Sequence, residues 1–230
     1  MTIAILSAFR DSLSRGQLPR FLDQVEALRR HAGPIHSIRV VAVEGDSRDG
    51  TYAALQKGRA GLSIELIKWD HGLPWFASVE SVARFVAMSH IGNLAFGAVR
   101  DDDDAVLWVE SDLIWDAHTI GSLADMAVRR DGDFDVFAPL IFAGEHFYDV
   151  WGYRGLDGAR VAPFHPYHST LRHDGAATEV SSVGSCLAMR GEVARACRVV
   201  DAECLVGFCR DARSKGYRVA VDPRFSVRHP

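Results

Sequence analysis

Along the first half of the chain, stretches of strand length that are apolar on both faces alternate with stretches of helical period. No other feature of the sequence restricts the fold as strongly. "TIAILSAF" reads as a buried strand, and "QLPRFLDQVEALRRH" carries apolar residues at 18, 21, 22, 25 and 28, the spacing of an amphipathic helix. The order repeats: "SIRVVAV" is a strand to Val43, followed by a polar turn and a helix from about Asp49 that Gly58 stops. "LSIELIKW" is the third strand, residues 77 to 99 the third helix, and residues 105 to 109 the fourth strand. Such alternation predicts a mostly parallel twisted sheet with helices on both faces. A helix over 117 to 129 follows, then the strand "DFDVFAPLIF", the strand "CLAMR", a helix from about Glu192, the helix "ECLVGFCRDARSKG", and "YRVAVDPRFSVRHP" as two short strands. No repeat or linker interrupts the 230 residues, so a single α/β domain is expected.

The fourth strand, "AVLWV", runs directly into Glu110-Ser111-Asp112. Ligands of parallel sheets gather outside the carboxyl ends of the strands, and two acids two residues apart point to one side there, which suits a metal or ligand role. Spacing alone proves nothing, because the sequence holds seven acid-x-acid triplets. Capping the next helix, or facing water, is the plainer role. Residues 101 to 151 carry thirteen acids against two arginines, and residues 190 to 230 carry nine basic residues against five acids. The first region suits a cation and the second suits phosphate. The run Asp101 to Asp104 reads as a solvated loop.

An apolar content of 48% excludes disordered and fibrous classes. No secretory core and no stretch of membrane-spanning length is visible, so an unanchored, cytoplasmic protein is expected. The four cysteines form no C-x-x-C pair and read as buried free thiols. Residues 143 to 180 are rich in Gly, His, Pro and aromatics without a period, and a loop of that length in a compact domain is more often functional than idle. Within it, "HPYHST" with His165, His168 and His173 matches no strong zinc spacing.

Several separated pieces resemble one enzyme group. "VEGDSRDGT" looks like the turn after the second strand of GT-A glycosyltransferases, where the acid meets the nucleotide base or ribose. "WVESD" resembles their metal-binding Asp-x-Asp, with Glu110 in the first place. "FCRDARSKGYRVAVDPRFSVRH" is similar to their closing helix, Gly-Tyr-Arg turn and final His. "FYDVWGYR" and "ECLVGFCRD" resemble segments of fungal capsular and α-mannosyl transferases. The five pieces occur in the family's order.

The resemblance implies a single GT-A domain, with residues 1 to 112 as the nucleotide-binding half and 113 to 230 as the acceptor half. It implies transfer of a hexosyl or pentosyl group from a UDP- or GDP-sugar to an acceptor hydroxyl. Glu110, Asp112 and His229 would hold Mn²⁺ or Mg²⁺, and Ser7, Arg10, Glu44, Asp46 and Ser111 would meet the nucleotide. Asp46 and Asp49 have the alternative of shaping their turn. Glu203 is the candidate general base, with helix capping as its rival role. Asp149, with Tyr148 and Trp151, would bind sugar hydroxyls, or the aromatic residues would only pack the loop. The acceptor is expected to be a saccharide or another hydroxyl compound, with hydroxymethylated bases in DNA as an alternative. A nucleotidyltransferase is disfavoured because "SAFRDSLSRGQ" has only one Gly, and a non-catalytic nucleotide-sugar-binding domain is the remaining rival.

Overall fold

The computed structural model describes residues 1–33, 37–76, 79–163, 167 and 176–230; the three loop histidines lie outside the described residues. The elements follow in the order β1 (Thr2–Phe9), α1 (Gln17–Ala32), β2 (Ser37–Glu44), α2 (Thr51–Lys57), β3 (Ser63–Lys68), α3 (Val82–Gly97) and β4 (Ala105–Val109). They continue with α4 (Ala117–Arg129), β5 (Val136–Ala143), β6 (His146–Phe147), β7 (Thr178–Val180), β8 (Cys186–Arg190), α5 (Gly191–Ala196), α6 (Cys204–Ser214) and β9 (Val219–Arg228). The sheet order is β3-β2-β1-β4-β8-β5-β9-β7, with β6 paired to β5. Strands β1 to β4 are parallel, β8 runs antiparallel between β4 and β5, and β9 returns parallel to β5. The chain thus winds outward from β1 to β3 and then crosses back to β4, placing a topological switch point between β1 and β4, where crevices form in such sheets.

Each face of the sheet is covered by its own helices. Helices α1 and α4 pack together on one face, where Phe21 meets Phe9 edge-on at 5.1 Å between ring centroids. On the other, α3 packs on α6, with Phe96 stacked on Phe208 at 4.4 Å and on Trp108 at 5.9 Å. The central strands β1, β2 and β4 are buried nearly end to end, which is why they read as continuous apolar runs.

Three sequence expectations need correction. Helix α3 starts at Val82, because Ser81 caps it by accepting a hydrogen bond from the Arg84 N–H at 3.1 Å. The two short strands expected at the C-terminus are one strand, β9, whose register against β5 shifts between Ala138 and Leu140. Asp222, Pro223 and Arg224 lie in this irregular stretch, with Asp222 fully buried and receiving the Arg224 Nε–H at 2.9 Å. The acidic run is not wholly solvated either: Asp103 is buried and accepts the Arg39 Nε–H at 2.9 Å. All four cysteines are free, and Cys186, Cys197 and Cys209 are buried.

The turn after β2 is tied to the loop after β1. Asp49 accepts hydrogen bonds from the Ser14 N–H at 2.7 Å, the Thr51 N–H at 2.9 Å and the Thr51 hydroxyl at 2.6 Å. Burial alone would raise its pKa, but these donors outweigh it and hold the carboxyl well below its usual range. A depressed folded-state pKa stabilises above the unfolded value and is lost as pH falls through the folded one. Asp49→Asn should therefore cost about 2 kcal/mol at neutral pH. The gap to wild type should close as pH drops below 3.8, as followed by chemical denaturation. A gap unchanged down to acid pH would mean that charge contributes nothing here.

Candidate functional site

Two adjoining cavities open at the carboxyl edge of the sheet. The larger, of about 480 Å³, lies at the switch point, between Phe9 at the end of β1 and Arg10 after it, Gly45 after β2, and Ser111 and Asp112 after β4. Trp69, His71, Trp75 and Phe76 form an aromatic wall on one side of it. The smaller, of about 250 Å³, lies between α3, the 148–152 segment and the start of α6. Arg84, Met88, Glu110 and Tyr148 line both and mark where they join.

Carboxylates crowd that junction. Glu110 is held by its backbone, its N–H donating to the Ser185 carbonyl at 2.9 Å and its carbonyl accepting from the Leu113 N–H at 3.1 Å. Neither Glu110 nor Asp112 caps α4, since Asp116 does so by accepting the Thr119 N–H at 2.8 Å. The Asp112 Oδ2 sits 3.2 Å from the His229 Nε2, while its Oδ1 is buried without a protein partner. His229 is fixed in turn, by its N–H on the Phe142 carbonyl at 2.8 Å and by the Tyr148 ring stacked on it at 3.8 Å.

Burial, then the charges of Asp112 and Asp149, push the Glu110 carboxyl up to about 8. Burial likewise raises Asp149, against hydrogen bonds from the Ser185 hydroxyl at 2.7 Å and the Gly152 N–H at 3.0 Å. Burial would lower His229, but the hydrogen bond and charge of Asp112 outweigh it and the net shift is upward. Carboxyls forced toward neutrality beside a raised histidine mark a place short of positive charge. Among the described residues no three His, Cys, Asp or Glu side chains converge closely enough to hold an ion. The assembled unit is the Asp112–His229 pair, with Glu110 close enough to feel both charges.

The residues expected to meet a nucleotide divide. Arg10 and Ser111 line the larger cavity. Glu44 does not: it is fully buried, with one oxygen on the Lys68 Nζ at 2.8 Å and the other accepting the Ser47 N–H at 3.2 Å. Asp46 accepts the His71 N–H at 3.1 Å and the Gly72 N–H at 3.2 Å, so it shapes the 69–72 turn rather than facing the cavity. Ser7 is buried inside β1 and lines neither cavity. Glu203, the expected base, also lines neither; its carboxylate is ion-paired with Arg210, and it makes no side-chain cap.

Asp149, expected to bind sugar hydroxyls, lines the smaller cavity, and Gly152 and Gly184 make room for its carboxylate. A Cβ on Gly152 would lie 2.8 Å from the Asp149 Oδ1, and one on Gly184 would overlap its Oδ2. Trp151 packs face to face with Phe85 of α3 at 4.4 Å, which fixes the segment carrying Asp149. Sequence reading missed Arg84, the aromatic wall and Arg15, whose guanidinium lies 3.6 Å over the Trp75 ring. Their spacing has no period; the cluster "HGLPWF" before α3 was the available signal.

No protein-family model and no curated protein sequence matches the chain. Solved structures do. The Staphylococcus aureus TarS fragment 1–349 superposes with a TM-score of 0.57 at 12% identity, covering 99% of this chain and 60% of that one. The same fragment in complex with UDP gives 0.58 at 16% identity, covering 99% and 60%. In complex with UDP-GlcNAc it gives 0.57 at 14%, covering 99% and 58%. The chain therefore spans about three fifths of the length of these relatives. At such identity the likeness is one of fold: a single α/β domain with a mixed, mostly parallel sheet.

Proposed function

We propose that the chain transfers a sugar from a nucleoside-diphosphate sugar to an acceptor hydroxyl, with a divalent ion at Asp112 and His229. The observation that carries this is the junction of the two cavities, where the buried Asp112 Oδ1 is left without a partner beside His229, Glu110 and Arg84. The larger cavity has the size and the aromatic wall for a nucleoside, and structures of the same fold hold UDP and UDP-GlcNAc. UDP is therefore preferred to GDP as the donor base. Likeness to the fungal α-mannosyl type rests on the sequence pieces alone.

A diphosphate leaving group gains negative charge as the glycosidic bond breaks. Against a carboxylate about 5 Å away it would be repelled by about 3 kcal/mol per charge pair at an effective dielectric of 20. Mn²⁺ or Mg²⁺ bound to Asp112 and His229, with Glu110 beside them, would supply the missing positive charge as a Lewis acid. The protein's own residues do the rest. Tyr148 and the β5 backbone keep the His229 ring in place, and Arg84 brings a fixed cation to the junction. Arg10 fastens the 71–74 segment through the Leu73 carbonyl at 2.9 Å and the Pro74 carbonyl at 3.2 Å, closing the nucleotide side. Asp149 lines only the smaller cavity, across Glu110 from the nucleotide, where a base meets the acceptor hydroxyl.

At least four of the nine basic residues over 190 to 230 are ion-paired within the chain. Arg190 pairs with Asp135, Arg210 with Asp201, Arg218 with Glu179 and Arg224 with Asp222. A saccharide or small hydroxyl compound is the acceptor class this favours. UDP with Mn²⁺ should raise the melting temperature, because ligand binding to the folded state stabilises it. Chelation should abolish the rise. A full rise in EDTA would remove the ion from the proposal, and no rise with any nucleoside diphosphate would remove the donor.

A further inference from the structure

The aromatic wall of the larger cavity belongs to no helix or strand, since residues 69 to 76 follow β3 as irregular chain. Side chains therefore set its place. Arg10 ties it through the Leu73 and Pro74 carbonyls, and Asp46 accepts the His71 and Gly72 N–H groups at 3.1 and 3.2 Å. The third tie is the His71 ring itself. Its Nδ1 accepts the Leu73 N–H at 2.9 Å, and the ring stacks on Phe76 at 6.5 Å between centroids. An accepting Nδ1 requires that the one proton of a neutral ring sit on Nε2. That Nε2–H faces the Asp46 Oδ2 at 3.2 Å, while the Arg10 Nη1, also 3.2 Å from Nε2, donates to the Pro74 carbonyl instead.

A second proton on this ring would sit on Nδ1, where the Leu73 N–H already points. Two donors would then face each other, and one of them must move. The His71 side chain is 9% exposed, so little water is at hand to take either. The charges around the ring are mixed. Asp46 and Asp70 favour the imidazolium and Arg10 opposes it, with Asp70 itself paired to Lys68 at 2.8 Å. His90 of α3 packs on Trp69 at 4.5 Å, and the Trp69 ring lies 5.2 Å from that of His71. The other charged residues lining the cavity are Arg15, Arg84, Glu110, Asp112 and His229. Burial outweighs the two acids, and the net effect holds the His71 pKa below its ordinary value. We propose that His71 is a positioning residue for the nucleoside: its neutral ring keeps the 71–76 wall against the larger cavity by accepting the Leu73 N–H, and protonation releases that wall. The nucleoside as occupant rests on the reading given above; the link between His71 and the wall does not.

The test takes two readouts in EDTA from about pH 8 to about pH 4.5, a range that spans the charge change of a histidine with a lowered pKa. One is the affinity for uridine, and the other is the Leu73 amide and Trp75 indole resonances of the free protein, with the α1 and α4 amides as reference for an intact fold. Uridine carries no phosphate, so neither a metal nor the charge of His229 dominates its binding. In wild type the Leu73 and Trp75 signals should shift together with the His71 ring nitrogens, below pH 6.5, and uridine should bind about tenfold more weakly at the acid end. His71→Asn keeps an accepting atom near the place of Nδ1 and cannot be protonated, so both readouts should be flat with pH. His71→Leu accepts nothing and should bind uridine more weakly than His71→Asn at every pH, again without a step. A residue that only packs would weaken binding alike in both variants. Wall signals that stay in place while the His71 ring titrates, or a wild-type uridine affinity that is flat or rises toward acid, overturn the inference and leave the donor reading standing. A wall that titrates with His71 while uridine binds at no pH keeps the link and removes the nucleoside. Neither readout overturns both, and the wild-type profiles decide even where a variant does not fold.

Discussion

Asp149→Asn is expected to lower sugar transfer by roughly two to four orders of magnitude, the usual contribution of a general base. UDP binding should stay near wild type, because Asp149 lines only the smaller cavity. The substitution keeps the shape that Gly152 and Gly184 accommodate, and an amide oxygen can still accept from the Ser185 hydroxyl or the Gly152 N–H. What it removes is basicity. Glu203→Gln is the control: its partner is Arg210 on the surface, and losing an exposed ion pair costs about 1 kcal/mol or less. Transfer by Glu203→Gln should be near normal. A large rate loss in Glu203→Gln with Asp149→Asn unaffected would reverse the two assignments.

Asp112→Asn should have the larger effect on binding. Its Oδ1 has no protein partner and its Oδ2 faces His229, so the side chain is committed to the junction and not to the fold. Changing a partner once removed from a metal already costs 10- to 100-fold in affinity, so replacing a ligand should weaken UDP binding in Mn²⁺ by more than about 100-fold. In EDTA, wild type and variant should bind UDP equally weakly. Calorimetry of both proteins in both buffers gives the four values. If Asp112→Asn binds UDP in Mn²⁺ like wild type, the ion is held elsewhere or is not needed.

How far the sequence carried these conclusions depended on the range of the interaction. The buried strands and their helices were legible because they are local patterns: β4 at residues 105 to 109 and α4 at 117 to 129 match their expected limits. The position of Glu110 and Asp112 at the ligand edge follows from the same logic, since a strand end in a parallel sheet is a place as well as a pattern. Roles set by distant partners were not legible. Nothing beside Glu44 in the sequence announces that it pairs with Lys68, on the neighbouring strand. Nor does the sequence beside Glu203, the candidate base, show that its carboxylate is ion-paired with Arg210, seven residues on. Asp103 read as solvated because nothing near it in sequence announces Arg39 across the sheet edge. The aromatic wall is formed by an irregular loop, where periodicity has nothing to report.

The central claim is donor chemistry at the junction of the two cavities, and the most direct measurement of it is release of UDP from a UDP-sugar in Mn²⁺, with and without a pool of saccharide acceptors. Wild type should release UDP, faster with an acceptor present, and release should fall to background in Asp112→Asn and in EDTA. A wild-type protein that binds UDP-sugar with its metal yet releases no UDP with any acceptor would contradict the account and leave a nucleotide-sugar-binding domain in its place.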